Sequence, residues 1–106
     1  MTSIALRATL PTDVIRSFAH AGLRRFYERD QTTGLPPDVI DKLRKMLIFL
    51  HDMPNVQALR TVPVWRVHQL TGDRKGTYGL HVTRNWRLTF RVADHELIEV
   101  NYEDYH

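Results

Sequence analysis

The chain of 106 residues contains no cysteine. Disulfides and thiolate metal sites are therefore excluded, and a reducing cytoplasm is the expected setting. No apolar run approaches the roughly 20 residues that cross a bilayer. The opening MTSIALRATLPT is too short in apolar length for a secretory signal. No repeat, low-complexity tract or linker interrupts the chain. His20, His51, His68, His81, His95 and His106 show no metal-ligand spacing, and no cofactor is expected. Two local shortages are more telling. Residues 66–91 hold Arg66, Arg74, Lys75, Arg84, Arg87 and Arg91 against one acid, Asp73, a net charge of +5. The segment after them holds Asp94, Glu96, Glu99, Glu103 and Asp104 and no Lys or Arg. A basic band beside an acidic strand suits a polyanion partner with an acid–base group nearby.

What is present describes one ordinary domain. The apolar share is 42%, the charged share 25% and the net charge +3, enough for one core without staples. Residues 1–12 read as an N-terminal extension, and residues 13–106 as the domain. A short strand is expected at Val14–Phe18. Gly22–Arg29 reads as a helix, because Leu23, Phe26 and Tyr27 recur at i, i+3 and i+4. Gln31-Thr32-Thr33-Gly34 breaks it. Pro36 and Pro37 suit the start of a second helix, with Asp38 and Asp41 favourable in its first turns. Val39, Ile40, Leu43, Met46, Leu47 and Leu50 form its apolar stripe, and Pro54 closes it. Two helices with a short loop pack as a hairpin.

After Pro63 the apolar period becomes two. Val64–Leu70 puts Trp65 and Val67 on one face, Arg66 and His68 on the other. Thr71–Gly76 is a polar loop. Tyr78, Leu80 and Val82 alternate with Gly79, His81 and Thr83. Trp86, Leu88, Phe90 and Val92 alternate with Asn85, Arg87, Thr89 and Arg91. After a turn at Ala93–Glu96, Ile98, Val100 and Tyr102 make the last alternating set. The order β-α-α-β-β-β-β is an α+β fold, an antiparallel meander packed on the helical hairpin. Trp65, Tyr78, Trp86, Phe90 and Tyr102 are expected in the core, and His81 as a plain exposed strand residue. The polar sets then point outward together. Asp104, Tyr105 and His106 arrive at the sheet edge, where alternation cannot turn all three one way and a bulge or fraying is expected.

That open face carries guanidinium groups, an amide and imidazoles, a set suited to RNA cleavage by the 2′-hydroxyl. The reaction needs a base for the 2′ proton, an acid for the leaving 5′ oxygen, and cations for the phosphorane. Imidazole shuttles protons near neutral pH, and arginine grips phosphate through its planar fork. No metal is needed for it.

Three motifs sharpen the reading. Val67-His68-Gln69-Leu70-Thr71-Gly72-Asp73, Asn85-Trp86-Arg87-Leu88-Thr89-Phe90 and Asn101-Tyr102-Glu103-Asp104-Tyr105-His106 resemble the HigB-type killer toxins, members of the RelE superfamily. The family pattern is L-H-P-L-K-G-D, then N-W-R-[IV]-T-F, then N-Y-x-D-Y-H. VIRSFAHAGLRRFYE is similar to the family's opening strand and first helix, so the likeness covers about residues 14 to 106. It implies a RelE-like fold and a ribosome-dependent messenger-RNA endoribonuclease acting in the decoding site. It also implies a HigA-like helix-turn-helix antitoxin, with operator DNA met only through that antitoxin, and no membrane partner. By resemblance His68, Arg87, Asp104, Tyr105 and His106 fall on the positions tied to catalysis. Arg87 would hold the scissile phosphate, His68 and His106 would be the acid–base pair, and Asp104 would orient an imidazole. Tyr105 would stack on a base or donate to phosphate. Asn85 would position RNA, with Arg66, Arg74, Lys75, Arg84 and Arg91 as the surrounding phosphate contacts. A carboxylate beside the terminal imidazole of His106 would favour its protonated form.

Gln69 and Thr71 stand where the family has proline and lysine. The lysine is part of the family's active-site charge, and Arg74 and Lys75 on the same loop could supply it instead. The extension at residues 1–12 is a second departure. Two other functions stay open: a toxin fold that has lost catalysis and acts mainly with its antitoxin in operon autoregulation, and a gyrase poison of the related ParE branch.

Overall fold

A computed structural model describes residues 15–105. The extension at residues 1–12, Val14 of the expected first strand, and His106 lie outside the described residues.

Helix α1 spans Ala21–Arg29, and His20 caps it: its Nδ1 accepts the Leu23 N–H at 3.1 Å. That bond needs an unprotonated nitrogen. Burial first, and then the charge of Arg25, hold the His20 pKa below its ordinary value. Asp30 ends the helix in the left-handed conformation, its N–H satisfying the Phe26 carbonyl. The apolar face of α1 is buried at Leu23, Phe26 and Tyr27. A 3-10 turn at Pro37–Val39 leads into α2, Ile40–Asp52, whose Leu43, Met46, Leu47 and Leu50 are fully buried. Arg44 of α2 reaches Asp30 at 2.6 Å, tying the two helices together. Met53 turns to extended backbone ahead of Pro54, which cannot extend the ladder.

Four strands follow: β1, His68–Gln69; β2, Thr77–His81; β3, Trp86–Ala93; and β4, Glu96–Asp104. They pair in chain order, every pair antiparallel. Leu80, Leu88, Phe90, Val100 and Tyr102 join the helices' apolar residues in one core. The sheet therefore has one dry face and one open face, and the fold is α+β.

Several expectations need correction. The strand expected at Val14–Phe18 is reduced to parallel bridges, Ile15 with Leu97 and Phe18 with Val100. Val64–Leu70 is mostly not strand. Val56–Thr61 and Pro63–Trp65 are 3-10 turns, Arg66 takes a left-handed φ of 50°, and only His68–Gln69 pairs with β2. Pro63 presets the φ of a helical turn, and Trp65 packs edge-on against Phe49 of α2 at 5.2 Å. Tertiary packing of an aromatic ring overrides its strand preference. Trp65 and Tyr78 are half-buried rather than core. Trp86 is 37% exposed at the end of the sheet, where it stacks on Tyr102 at 4.8 Å.

The bulge falls elsewhere than expected. β4 stays in register through Trp86–Asp104, while the pairing shifts between Thr89 and Arg91. Glu99 and Val100 together oppose Phe90, and Glu99 takes φ 55°. One extra residue inverts the alternation beyond it. Leu97 therefore enters the core with Val100 and Tyr102, and Ile98 pairs with Arg91 on the other face. Asn101, Glu103 and Tyr105 keep the open face.

A left-handed φ at a non-glycine residue costs about 1–2 kcal/mol, more for a β-branched one. Glu99 already bears that cost, so Glu99→Val adds only the β-branched excess and is expected to lower the unfolding free energy by about 1 kcal/mol or less in urea titration. An unchanged midpoint would show that the bulge tolerates any side chain.

Candidate active site

Antiparallel partners stand side by side across a sheet, so the register assembles the site. One rung runs His68, Gly79, Thr89, Asn101; the next runs His81, Arg87, Glu103. Alternation puts all seven on the open face, opposite Leu80, Leu88 and Tyr102.

Glu103 is the hub. Its carboxylate accepts from Arg74 Nη1 and Nη2 at 2.5 and 2.9 Å and from Thr89 Oγ1 at 2.6 Å. Arg87 Nη2 and Asn101 Nδ2 add bonds of 3.3 Å each. The Arg74 hydrogen bonds, working against burial and aided by Thr89, hold the Glu103 carboxyl at a pKa of about 2. Arg74 is raised in turn by the same contact. Two guanidiniums share one carboxylate, so the cluster stays net positive.

Arg87 is 13% exposed at its side chain. Its Nε–H is buried and has no partner among the described residues. The Tyr105 ring lies 5.2 Å from the guanidinium carbon, a cation–π contact. Tyr105 is held at both ends: its N–H donates to the Asn85 carbonyl at 3.0 Å, and its hydroxyl lies 3.2 Å from His81 Nδ1. Burial first, then the charges of Arg66 and Lys42, push the His81 pKa below 6.5.

His68 is fixed by a different contact. Its Nδ1–H donates to the Arg66 carbonyl at 2.9 Å. A carbonyl can only accept, so the proton sits on Nδ1 and the Nε2 lone pair of the neutral ring is free. The ring lies against Gly79: a Cβ there would stand 3.0 Å from His68 Cε1 and 3.1 Å from Nε2. Beside this pair an open groove of about 470 Å³ is lined by Arg66, His81, Arg84 and Tyr105.

The structure thus brings together His68, Arg87 and Tyr105, with Arg74 inside the cluster and Arg66, Arg84 and Asn85 beside it. It does not gather every expected residue. Asp104 pairs with Trp86, so alternation turns it to the opposite face from Glu103 and Tyr105. Arg91 shares the open face but lies two residues beyond Thr89 and is exposed. Lys75 is an exposed loop residue after the short turn Gly72–Arg74. His106 lies outside the described residues. Glu103, Gly79 and His81 were not among the expected site residues. The two-residue spacing of Asn101, Glu103 and Tyr105 was the available signal for Glu103. For His81 it was the spacing to Gly79, together with a tight β2–β3 connection.

The layout defines a class: a small α+β domain with one open sheet face bearing arginines, imidazoles and a tyrosine around a clamped carboxylate. The family model for HigB-like toxins, described as the RelE-like toxin of the type II toxin–antitoxin system HigB, matches residues 16–106. Endoribonuclease HigB of Proteus vulgaris is 33% identical over 93 residues, covering 88% of this chain and 100% of that protein. The chain belongs to the HigB-like toxin family, and membership carries an antitoxin partner. Among solved structures, YafQ from E. coli aligns at TM-score 0.49 and 18% identity, covering 86% of this chain and 93% of that one. HP0894 of Helicobacter pylori aligns at TM-score 0.45 and 17% identity, covering 86% and 94%. No described helix is long and apolar enough to cross a membrane.

A depressed carboxylate pKa adds stability that is complete above the unfolded value of 4.5 and lost as pH falls toward about 2. Glu103→Gln is expected to lower stability near neutral pH by about 1–3 kcal/mol and to flatten the acid limb across that interval. Denaturation at a series of pH values checks it; an unaltered acid limb contradicts it. Gly79→Ala is expected to displace the His68 ring by a few tenths of an ångström. Shifted His68 imidazole resonances on an otherwise wild-type spectrum would record this, and unmoved resonances would not fit the contact.

Proposed function

We propose that the chain is a ribosome-dependent messenger-RNA endoribonuclease. It cleaves transcripts in the decoding site of cytoplasmic ribosomes and arrests translation and growth. A HigA-like helix-turn-helix antitoxin holds it in check and carries the pair to operator DNA. The name of the Proteus vulgaris relative supports the nuclease class. The observation that carries the reading is the shared open face, where Arg87 stands one rung from His68 with Tyr105 over its guanidinium.

The chemistry follows from those groups. The 2′-oxygen attacks the adjacent phosphorus, and charge builds on the equatorial oxygens. Arg87 meets that charge with a guanidinium already oriented by Glu103. His68, with Nδ1–H fixed on a carbonyl, offers Nε2 for proton transfer. The terminal motif adds His106 as a further imidazole for the acid–base work. Tyr105 stacks a base or donates to phosphate. Asp104, on the far face of β4, acts at the end of the strand through His106 rather than on the phosphate. Arg66, Arg74, Lys75, Arg84, Asn85 and Arg91 line the approach, the arginines nearest the groove taking flanking phosphates. The step runs without a metal or other cofactor.

Arg87→Ala is expected to slow cleavage on translating ribosomes by about 100-fold or more and to abolish growth arrest, while antitoxin binding persists. Mapping of transcript 5′ ends after induction checks it. Wild-type cleavage by this variant would reject the catalytic reading and leave a toxin fold that acts by binding.

A further inference from the structure

We infer that His81 is the general base of this site, its Nε2 taking the 2′-hydroxyl proton while Nδ1–H rests on the Tyr105 phenol oxygen. The inference rests on the endoribonuclease reading and assigns one of its proton transfers. As that proton leaves, the 2′-oxygen bonds to phosphorus, and the bond from phosphorus to the 5′-oxygen breaks with its electron pair. That oxygen takes a proton from one of the other imidazoles, His68 or His106. The products are a 2′,3′-cyclic phosphate and a 5′-hydroxyl.

Four observations converge on His81. It is the direct cross-strand partner of Arg87, whereas His68 pairs with Gly79 in the neighbouring rung. An imidazole beside the guanidinium that holds the phosphate is placed for the attacking side. Second, Tyr105 fixes its ring: the phenol oxygen is 3.2 Å from Nδ1, and the same tyrosine covers Arg87. One residue thereby orients both the base and the phosphate clamp. Third, His81 lines the groove of about 470 Å³ with Arg66, Arg84 and Tyr105. That volume lies within the range of small-molecule sites. Fourth, the surroundings keep the ring neutral. Burial first, then the charges of Arg66 from the turn before β1 and Lys42 from α2, disfavour its protonated form, while Arg84 lines the same groove and Arg87 stands opposite on β3. The nearby carboxylate, Glu103, is committed to Arg74, Thr89, Asn101 and Arg87. A neutral imidazole among cations is ready to accept a proton, and the resulting imidazolium is driven to release it. His68, by contrast, stands one rung away, opposite Gly79, with its Nδ1–H on the Arg66 carbonyl.

The test is single-turnover transcript cleavage on translating ribosomes between about pH 5 and 8.5, comparing wild type, His81→Gln, His81→Ala and Arg87→Ala. The glutamine variant keeps a hydrogen-bonding partner for Tyr105, and thermal melting follows folding in all four. Both His81 variants are expected to fall about 100-fold or more at neutral pH, with the wild-type melting temperature retained in the glutamine variant. The wild-type rate should decline as pH drops below a pKa under 6.5, and that decline should vanish in both variants. Cleavage within about threefold of wild type, or a loss that keeps the wild-type acid limb, overturns the assignment. Arg87→Ala separates the two levels. Its inactivity beside normal His81 variants removes His81 alone, whereas its full activity removes the nuclease reading itself.

Discussion

The open face depends on the clamp around Glu103. Donors reach this carboxylate from the loop before β2 (Arg74), from β3 (Arg87 and Thr89) and from β4 (Asn101). Burying a charge is costly unless it is paired and hydrogen-bonded. Here every donor also has a position to hold. The loop that begins β2 is drawn over the sheet, and Arg87 is fixed before any ligand arrives. Pre-set dipoles are worth most in catalysis because they need no reorganisation as charge develops. The carboxylate takes one unit of positive charge out of a pair, leaving the cluster net positive.

Much of this architecture was legible in the amino-acid order. The helix stripes at Leu23, Phe26 and Tyr27 and at Leu43 to Leu50 follow the 3.6-residue period, which local sterics enforce. The β3 alternation of Leu88 and Phe90 with Arg87 and Thr89 is equally local. What escaped is set by distant packing. Trp65 leaves its strand pattern because Phe49 offers an edge-to-face contact across 16 positions of chain. Glu99 opens a bulge because Leu97 must reach the core where the segment from Ile15 to Phe18 docks. No window of a few residues contains either reason.

The site shows the same division. His68, Arg87 and Tyr105 were readable from motifs and parity. Glu103 was hidden by its neighbours, since the motif drew notice to Asp104, Tyr105 and His106. Its role comes from its register opposite Arg87 and from the donors of β3, β4 and the Arg74 loop that converge on it. His81 was harder to read because only the tight β2–β3 connection, not a motif, sets it in register with Arg87. Thr71, where relatives of the resembled pattern carry lysine, makes the same point. Arg74 from that loop does enter the cluster, but through Glu103, so its charge acts by orienting Arg87.

The central claim is spatial: the two rungs His68–Gly79–Thr89–Asn101 and His81–Arg87–Glu103 form one surface that receives an RNA phosphate. Titrating isotope-labelled protein with a short 2′-O-methyl oligoribonucleotide, which cannot be cleaved, measures this directly. The account predicts that the Arg87 Nε–H resonance and the His68, His81 and Tyr105 side-chain signals move together along one saturation curve. Movement confined to the outer faces of α1 and α2, with those signals unchanged at saturation, would contradict it.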